Sequence, residues 1–494
     1  MDELRLTCGV EAKSSISVLV RFLEKTFFQQ LIIKYFIGDD YSNNNLELCS
    51  LLQCNKYLGF KIIKELFIQH ALISSSTAMR MVHLHFVKSI VVSKNSAADK
   101  NLFLMFPNLK TIKFVGIDEP TNEYKLPESI TKIIFLGCFN KCLKLGGLPA
   151  NLTSLQFDDF FRGPFKKDVL PPNLTSLEIG YFFTPALAPG VLPLKLRTLV
   201  FHGGSRFNQP LVVGSLPSSL TIFQFGCNFN QTLEIDVLPS SLTKLFFGYE
   251  FNQPLKIGTL PPNLTYLYFS ASYNHSLDPG VLPSQLRTLE FRFNNKFNHA
   301  LVVNALPSNL THLEFGYDFN QPLELGILPQ KLTVLNFSPR SVFNQPLKIG
   351  ILPPKLTQLT FGFFFNQPLA LGILPPNLLK LELGYEFDKI LQVGVFPSSL
   401  TELFFGTKFN HALKPGVLPQ NLRTLHFSGN SIFNQPLVIN TFPSCLTYLQ
   451  FGIHFDQPLK VDILPFSLTT LNLPILYNKL IDTTNRPNLK ICKK

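Results

Sequence analysis

The chain repeats itself. A proline preceded by Leu or Phe returns in sixteen copies from Pro127 to Pro465, and of the fifteen intervals between them eleven are 22 residues long and four are 24. The five letters FNQPL stand intact at Phe207, Phe251, Phe319, Phe343, Phe365 and Phe433. A catalytic centre needs one set of groups in one place, so repetition of this kind builds a periodic object instead. A segment this short cannot bury a core alone, and only stacking neighbour on neighbour closes one.

The frame of one repeat reads physically. After each proline comes LTxLxF, as in Leu264, Leu267 and Phe269, and its last two apolar positions alternate at period two, as a strand with one buried face requires. Glycines that follow the strand (Gly226, Gly248, Gly316, Gly362, Gly406 and Gly452) suit a tight turn in which a positive φ costs little. The Phe of FNQPL then re-enters the core, followed in most copies by Asn or Asp. A buried Asn bonds backbone groups of its own turn and the next, so Asn208, Asn252, Asn320, Asn344, Asn366 and Asn434 are expected to stack inside as a structural ladder. Proline in QPL and again in LP removes an N–H and favours extended backbone, so the return side is expected to be mostly non-helical.

Composition agrees with such an object. Apolar residues make up 46% of 494, with 49 Phe and no Trp, while 37 Pro and 28 Gly exclude long helices across most of the chain. The first residues, MDELRLTCGVEAKSS, lack the pattern of a signal peptide, and the most apolar segment, residues 16–38, carries Arg21, Glu24, Lys25 and Lys34, too polar to span a membrane. A cytoplasmic or nuclear protein without a membrane span is expected. The eight cysteines are scattered and the pairs Cys49/Cys54 and Cys138/Cys142 lack zinc-site partners, so free buried thiols and no cofactor or metal are expected. Triplets NLT at Asn151, Asn173, Asn263 and Asn309 match a glycosylation sequon, but read as repeat consensus.

A period of 20 to 29 residues with leucines in a fixed frame is the signature of leucine-rich repeats. FNQPLKIGTLPPNLTYLYF and its sister copies closely resemble the FNIP repeat, a leucine-rich-repeat relative of social amoebae and giant viruses. The resemblance runs from about residue 101 to the end and implies a solenoid with a curved parallel β-sheet, used for protein interaction and carrying no catalytic residues. Some members of the family add a kinase domain; no glycine loop, HRD or DFG of a kinase is present here.

The outward positions of LTxLxF vary while their neighbours do not, which is how a binding face on a fixed scaffold looks, although any solvated sheet face also varies. The expected partner-binding face centres on Phe246, Tyr266, Tyr268, His312, Glu314, Lys380, Glu382, Glu402, Phe404 and Tyr448, its aromatics read as exposed anchors. A net charge of +12 raises the question of nucleic acid, but this face holds two Lys, no Arg and five Glu, and the lysines sit on the return segments, as at Lys144, Lys256 and Lys348. A nucleic-acid partner is therefore not expected. All four 24-residue intervals add two residues between the strand Phe and the corner Phe, within 202–206, 292–296, 338–342 and 428–432, and these inserts should line one rim.

Residues 1–75 differ: apolar residues at helical spacing with almost no Pro or Gly predict a small helical cap, followed by a transition strand and linker over 76–100 and the solenoid of about seventeen repeats over 101–494. The stretch LCSLLQCNKYLGFKIIKEL, with Leu48, Leu51, Leu52, Cys54, Tyr57 and Leu58, resembles the later helices of an F-box, without that family's opening Leu-Pro. Two functions follow as expectations. One is a non-enzymatic scaffold binding a protein of unknown identity on the concave sheet face. The other is an F-box-type receptor that also recruits a cullin ubiquitin ligase through a Skp-type adaptor held by residues 1–75. No convergent acid, base and nucleophile set speaks for an enzyme.

Overall fold

The computed structural model describes residues 71–72, 88–93 and 103–493, apart from 104–105, 107, 117–125, 138, 293, 461 and 482–485. The expected helical cap and F-box-like segment lie outside these residues, except that Ala71–Leu72, at the end of the range, is a strand (β1). The chain divides into two compact units, Met1–Asp158 and Asp159–Lys494.

In the first unit β1 is followed by Ser89–Ser93 (β2), Thr111–Val115 (β3), Lys132–Leu136 (β4) and Ser154–Phe157 (β5), each parallel to the next. Ser89 pairs with Thr111, 22 residues on, so a coil of the same frame precedes the first recognisable proline. Ile90 and Val92 are its buried positions.

The second unit carries fifteen short parallel strands, from Ser176–Ile179 (β6) to Lys490–Lys493 (β20), one per coil. Every pairing joins equivalent positions, as where Leu289 meets Leu313 and Leu313 meets Leu335. Such a register is over-determined, because a slip of one residue would turn every buried Leu and Phe to the outside. The fold is a leucine-rich-repeat-like parallel β-solenoid, and no α-helix occurs among the described residues.

Proline shapes the return side as its chemistry requires. Each Leu-Pro turn closes with the N–H three residues on donating to the proline carbonyl, for example Leu264 to Pro261 at 3.2 Å and Leu310 to Pro307 at 3.0 Å. In the coils from Gly146 to Asn440 the backbone takes a positive φ two residues before the Leu or Phe that precedes the proline. Glycine fills that place at Gly258, Gly326 and Gly350, and Asp or Asn at Asp168, Asp236, Asn304 and Asn440, the residues that best tolerate it.

The six glycines after the strands need a different explanation from the one their sequence context suggests. None has a positive φ. They are glycines because coils approach closely there: a Cβ on Gly248 would meet the carbonyl of Gly226, and on Gly406 the carbonyl of Gly384. After an insert the clash is with the inserted side chain, Ser205 against Gly226, Asn295 against Gly316 and Ser341 against Gly362.

Two columns of rings fill the interior. Within a coil the strand Phe lies flat on the corner Phe, as Phe315 on Phe319 at 3.8 Å; between coils the corner rings stack in turn, Phe319 on Phe343 at 6.1 Å. Each is fully buried, a gain of about 1.5–3 kcal/mol per ring over exposure. A Cβ on Gly384 would meet the carbonyl of Gly362, so Gly384→Ala should lower the chemical-denaturation midpoint, an overpacking cost of about 1–3 kcal/mol in unfolding free energy. An unchanged midpoint would mean that the coils are free to separate at this column.

Candidate functional site

The asparagine that follows the corner Phe forms an unbroken ladder. The Oδ1 of Asn208 accepts the backbone N–H of Asn230 at 2.9 Å, Asn230 accepts Asn252, and the relay continues through Asn274, Asn298, Asn320, Asn344, Asn366, Asp388, Asn410 and Asn434 to Asp456. The next residue adds a second column: Gln345 Nε2 donates to both the carbonyl and Oδ1 of Asn320, at 3.1 and 3.2 Å. His275, His299 and His411 take the glutamine's place by contacting the preceding coil's carbonyl through Nε2. The expected burial is corrected here. Asn208 and Asn252 are exposed and Asn320, Asn344, Asn366 and Asn434 half-buried, because the Phe beside each occupies the interior and leaves the Asn on the coil's surface.

Other polar columns went unread in the sequence. The Thr of LTxLxF donates to the preceding coil, Thr243 Oγ1 to Thr221 O at 3.0 Å and Thr333 Oγ1 to Thr311 O at 3.0 Å. The Asn of NLT does the same, Asn263 Nδ2 reaching Ser240 O at 2.9 Å. These triplets are inter-coil ties.

On the outward strand face the expected residues fall into three groups. Phe246 packs on Tyr266 and Tyr268, with ring centroids at 5.0 and 6.0 Å, and the Tyr266 hydroxyl donates to Glu290 at 2.7 Å. Glu314 stands on the next strand in line with Glu290, and His312 is exposed beside it with Nδ1 2.9 Å from Thr311 Oγ1. Further along, Lys380 Nζ sits 5.0 Å over the Phe404 ring, with Glu382 and Glu402 half-buried in the same rows. Tyr448 donates to Gln450 at 2.8 Å and accepts from Asn472 at 2.7 Å. The five aromatics are half-buried, not exposed as the sequence suggests, because strand spacing lays each ring against its cross-strand neighbours.

Arg292 was missed, and it changes the face. It lies just beyond its strand, at the start of an insert, yet its Nε returns to Glu290 at 3.0 Å and to Glu314 at 3.7 Å. Burial raises the Glu314 carboxyl above the ordinary carboxylate range; Arg292 opposes this and Glu290 adds to it. Burial, then the bond to Glu290, likewise raises the Tyr266 hydroxyl, which stays protonated. The sequence shows a basic residue opening an insert, but not that its side chain turns back to carboxylates on two coils.

The inserts do more than widen a rim. Each tucks one polar residue wholly inside: Ser205, Asn295, Ser341 and Ser431 accept the N–H of the corner Phe two residues on, at 2.9–3.3 Å. Beside them a cavity of about 600 Å³ opens between Arg292, Asn294, Glu314 and Arg340. A second, of about 260 Å³, shares Pro339 and Thr360 with it and continues to Phe404 and His426. Among the described residues no helix is long and apolar enough to cross a membrane. Among the described residues the thiols are not buried as expected: Cys142 and Cys445 are free and exposed, Cys227 and Cys492 free and half-exposed.

Residues 118–160, 161–204, 207–250, 251–293, 297–339, 341–364, 365–408 and 433–474 match the FNIP repeat. The chain belongs to the FNIP repeat family. Its solenoid is similar to that of CroV588, described as a novel circular LRR protein, with 35% identity over 83% of this chain and a TM-score of 0.72; the FNIP chain spans 63% of the length of that protein. The fold is also similar to a chain in the Toll–Spatzle complex of Drosophila, at a TM-score of 0.58 and 14% identity, covering 83% of this chain and 61% of that one. No curated protein matches the sequence.

Two outcomes follow. Asn320→Ala removes the acceptor for Asn344 N–H and Gln345 and should cost about 1–2 kcal/mol by denaturant titration, while Asn320→Asp, which keeps an acceptor as Asp388 does, should cost less. Glu314 binds its proton more tightly folded than unfolded, so its contribution to stability is full at pH below the ordinary carboxylate value and falls as pH rises through its raised value. Glu314→Gln should flatten that decline in a series of melting temperatures against pH.

Proposed function

We propose that this FNIP repeat protein is a non-enzymatic scaffold that binds a protein partner on the outward strand face of the Asp159–Lys494 unit. The observation that carries the reading is the contrast between columns. Inward positions repeat Leu and Phe coil after coil, whereas the outward rows change residue at most steps and gather Phe246, Tyr266, Tyr268, Lys380, Glu402, Phe404 and Tyr448 into clusters.

Several features support it. Aromatic rings held by cross-strand packing lose little side-chain freedom on binding, which favours them as anchors. The carboxylates of Glu290 and Glu314, adjacent in one row and bridged by Arg292 from beyond the strand, favour a protein over a polyanion, since carboxylates repel phosphate. A fold-level likeness to a chain seen in the Toll–Spatzle complex agrees with this use of such a scaffold, as analogy.

The second reading rests on the F-box-like stretch within residues 48–66, outside the described residues: the face would hold a substrate while residues 1–75 recruit a ubiquitin-ligase adaptor. Affinity purification with mass spectrometry separates the two, comparing the full chain, the chain without residues 1–75 and the Tyr266→Ala/Tyr268→Ala variant. The scaffold reading expects the same partners with and without residues 1–75, and their loss, by about tenfold or more, in the double variant. Adaptor and cullin copurifying only with the full chain would establish the receptor instead, and partners indifferent to both changes would overturn the face.

A further inference from the structure

We infer that the two adjoining cavities form one slot for an extended peptide segment of a partner that carries an Asp or Glu ahead of apolar residues, the acid pairing with Arg340. The inference rests on the protein-binding reading above and names the chemistry of what is bound. The slot runs from the coil of Arg292 to the coil of Ser428, joined where Pro339 and Thr360 line both cavities. Six steps of strand spacing make that about 29 Å, the length of about nine residues in extended backbone. A small molecule would fill one cavity and leave the other open.

The slot exists because the period changes. The insert at 338–342 places Pro339 and Arg340 as a wall, with Ser341 anchoring it from inside. Beyond the wall Gly362, Gly384 and Gly406 line the second cavity on three successive coils, where the lack of a Cβ lets the coils close up, and the stacked pair Phe363 and Tyr385, 4.2 Å apart, flanks it with Phe404. That end favours apolar side chains.

Charge chooses the other end. Arg292 is held by Glu290 and Glu314, and Lys380 lies over the Phe404 ring. Arg340 is exposed and has no carboxylate partner among the described residues. A carboxylate brought to it forms the bidentate pair that a guanidinium favours, while Glu314 and Glu382 along the slot repel a polyphosphate backbone.

The test pans a random dodecapeptide library displayed on phage against the full chain, then measures synthetic, C-terminally amidated copies of the enriched peptides by fluorescence polarisation. Amidation leaves only side-chain carboxylates to meet Arg340. The expected peptides share an Asp or Glu followed by apolar residues; Arg340→Glu, with an unchanged melting temperature, weakens them about tenfold or more, and replacing the peptide acid with Lys restores binding to that variant. Peptides that bind Arg340→Glu as tightly as the parent, yet lose affinity for Tyr266→Ala/Tyr268→Ala, would overturn the slot and leave the binding face standing. No enrichment, or peptides indifferent to both variants, would overturn both.

Discussion

What the structure depends on is the contact of one coil with the next. A single coil of 22 residues has three to five strand residues, a Leu-Pro turn and a Phe corner, and none of these closes without a neighbour. The strand needs its parallel partner, the corner ring needs the ring before and after it, and the Asn carbonyl oxygen needs the next coil's N–H. Because backbone groups cost free energy when orphaned, the polar columns of Thr and Asn are as necessary as the apolar ones. A strict period is the consequence: each residue must meet its own counterpart.

Close approach sets the finer choices. Where coils come nearest, after the strand, glycine is required by the lack of room and not by backbone twist, and where the chain turns before Leu-Pro, glycine, Asp or Asn is required by a positive φ. The two kinds look alike in sequence. They are separated by asking what a Cβ would touch.

Much of the architecture was legible because its causes are local and repeated: the period from the prolines, the strand from Leu267 and Phe269, the absence of return helices from the prolines of QPL and LP. The ladder's existence was legible in the Asn of FNQPL, but its depth was not, since sequence cannot say that Phe251 takes the inside and leaves Asn252 at the surface. The face was legible as rows of variable residues. Its internal chemistry was not, because Tyr266 and Glu290 lie 24 residues apart, and Arg292 reaches back from an insert to carboxylates on two coils. Such pairings depend on register summed with side-chain length, and a repeat consensus averages both away.

The departures from the period explain how a uniform scaffold acquires individual places. A perfect repeat offers the same shape at every coil, so a partner bound to it would slide without preference. Two extra residues break that degeneracy at 202–206, 292–296, 338–342 and 428–432, and each insert is fixed by one buried polar side chain, Ser205, Asn295, Ser341 or Ser431, so the irregularity is rigid. Rigid irregularity can hold a partner in register where a floppy loop would lose the entropy of ordering. The second and third inserts start only 46 residues apart, closer than any other two, and the larger cavity opens between the arginines they carry. Repetition supplies the stability, and the places where it fails supply the address.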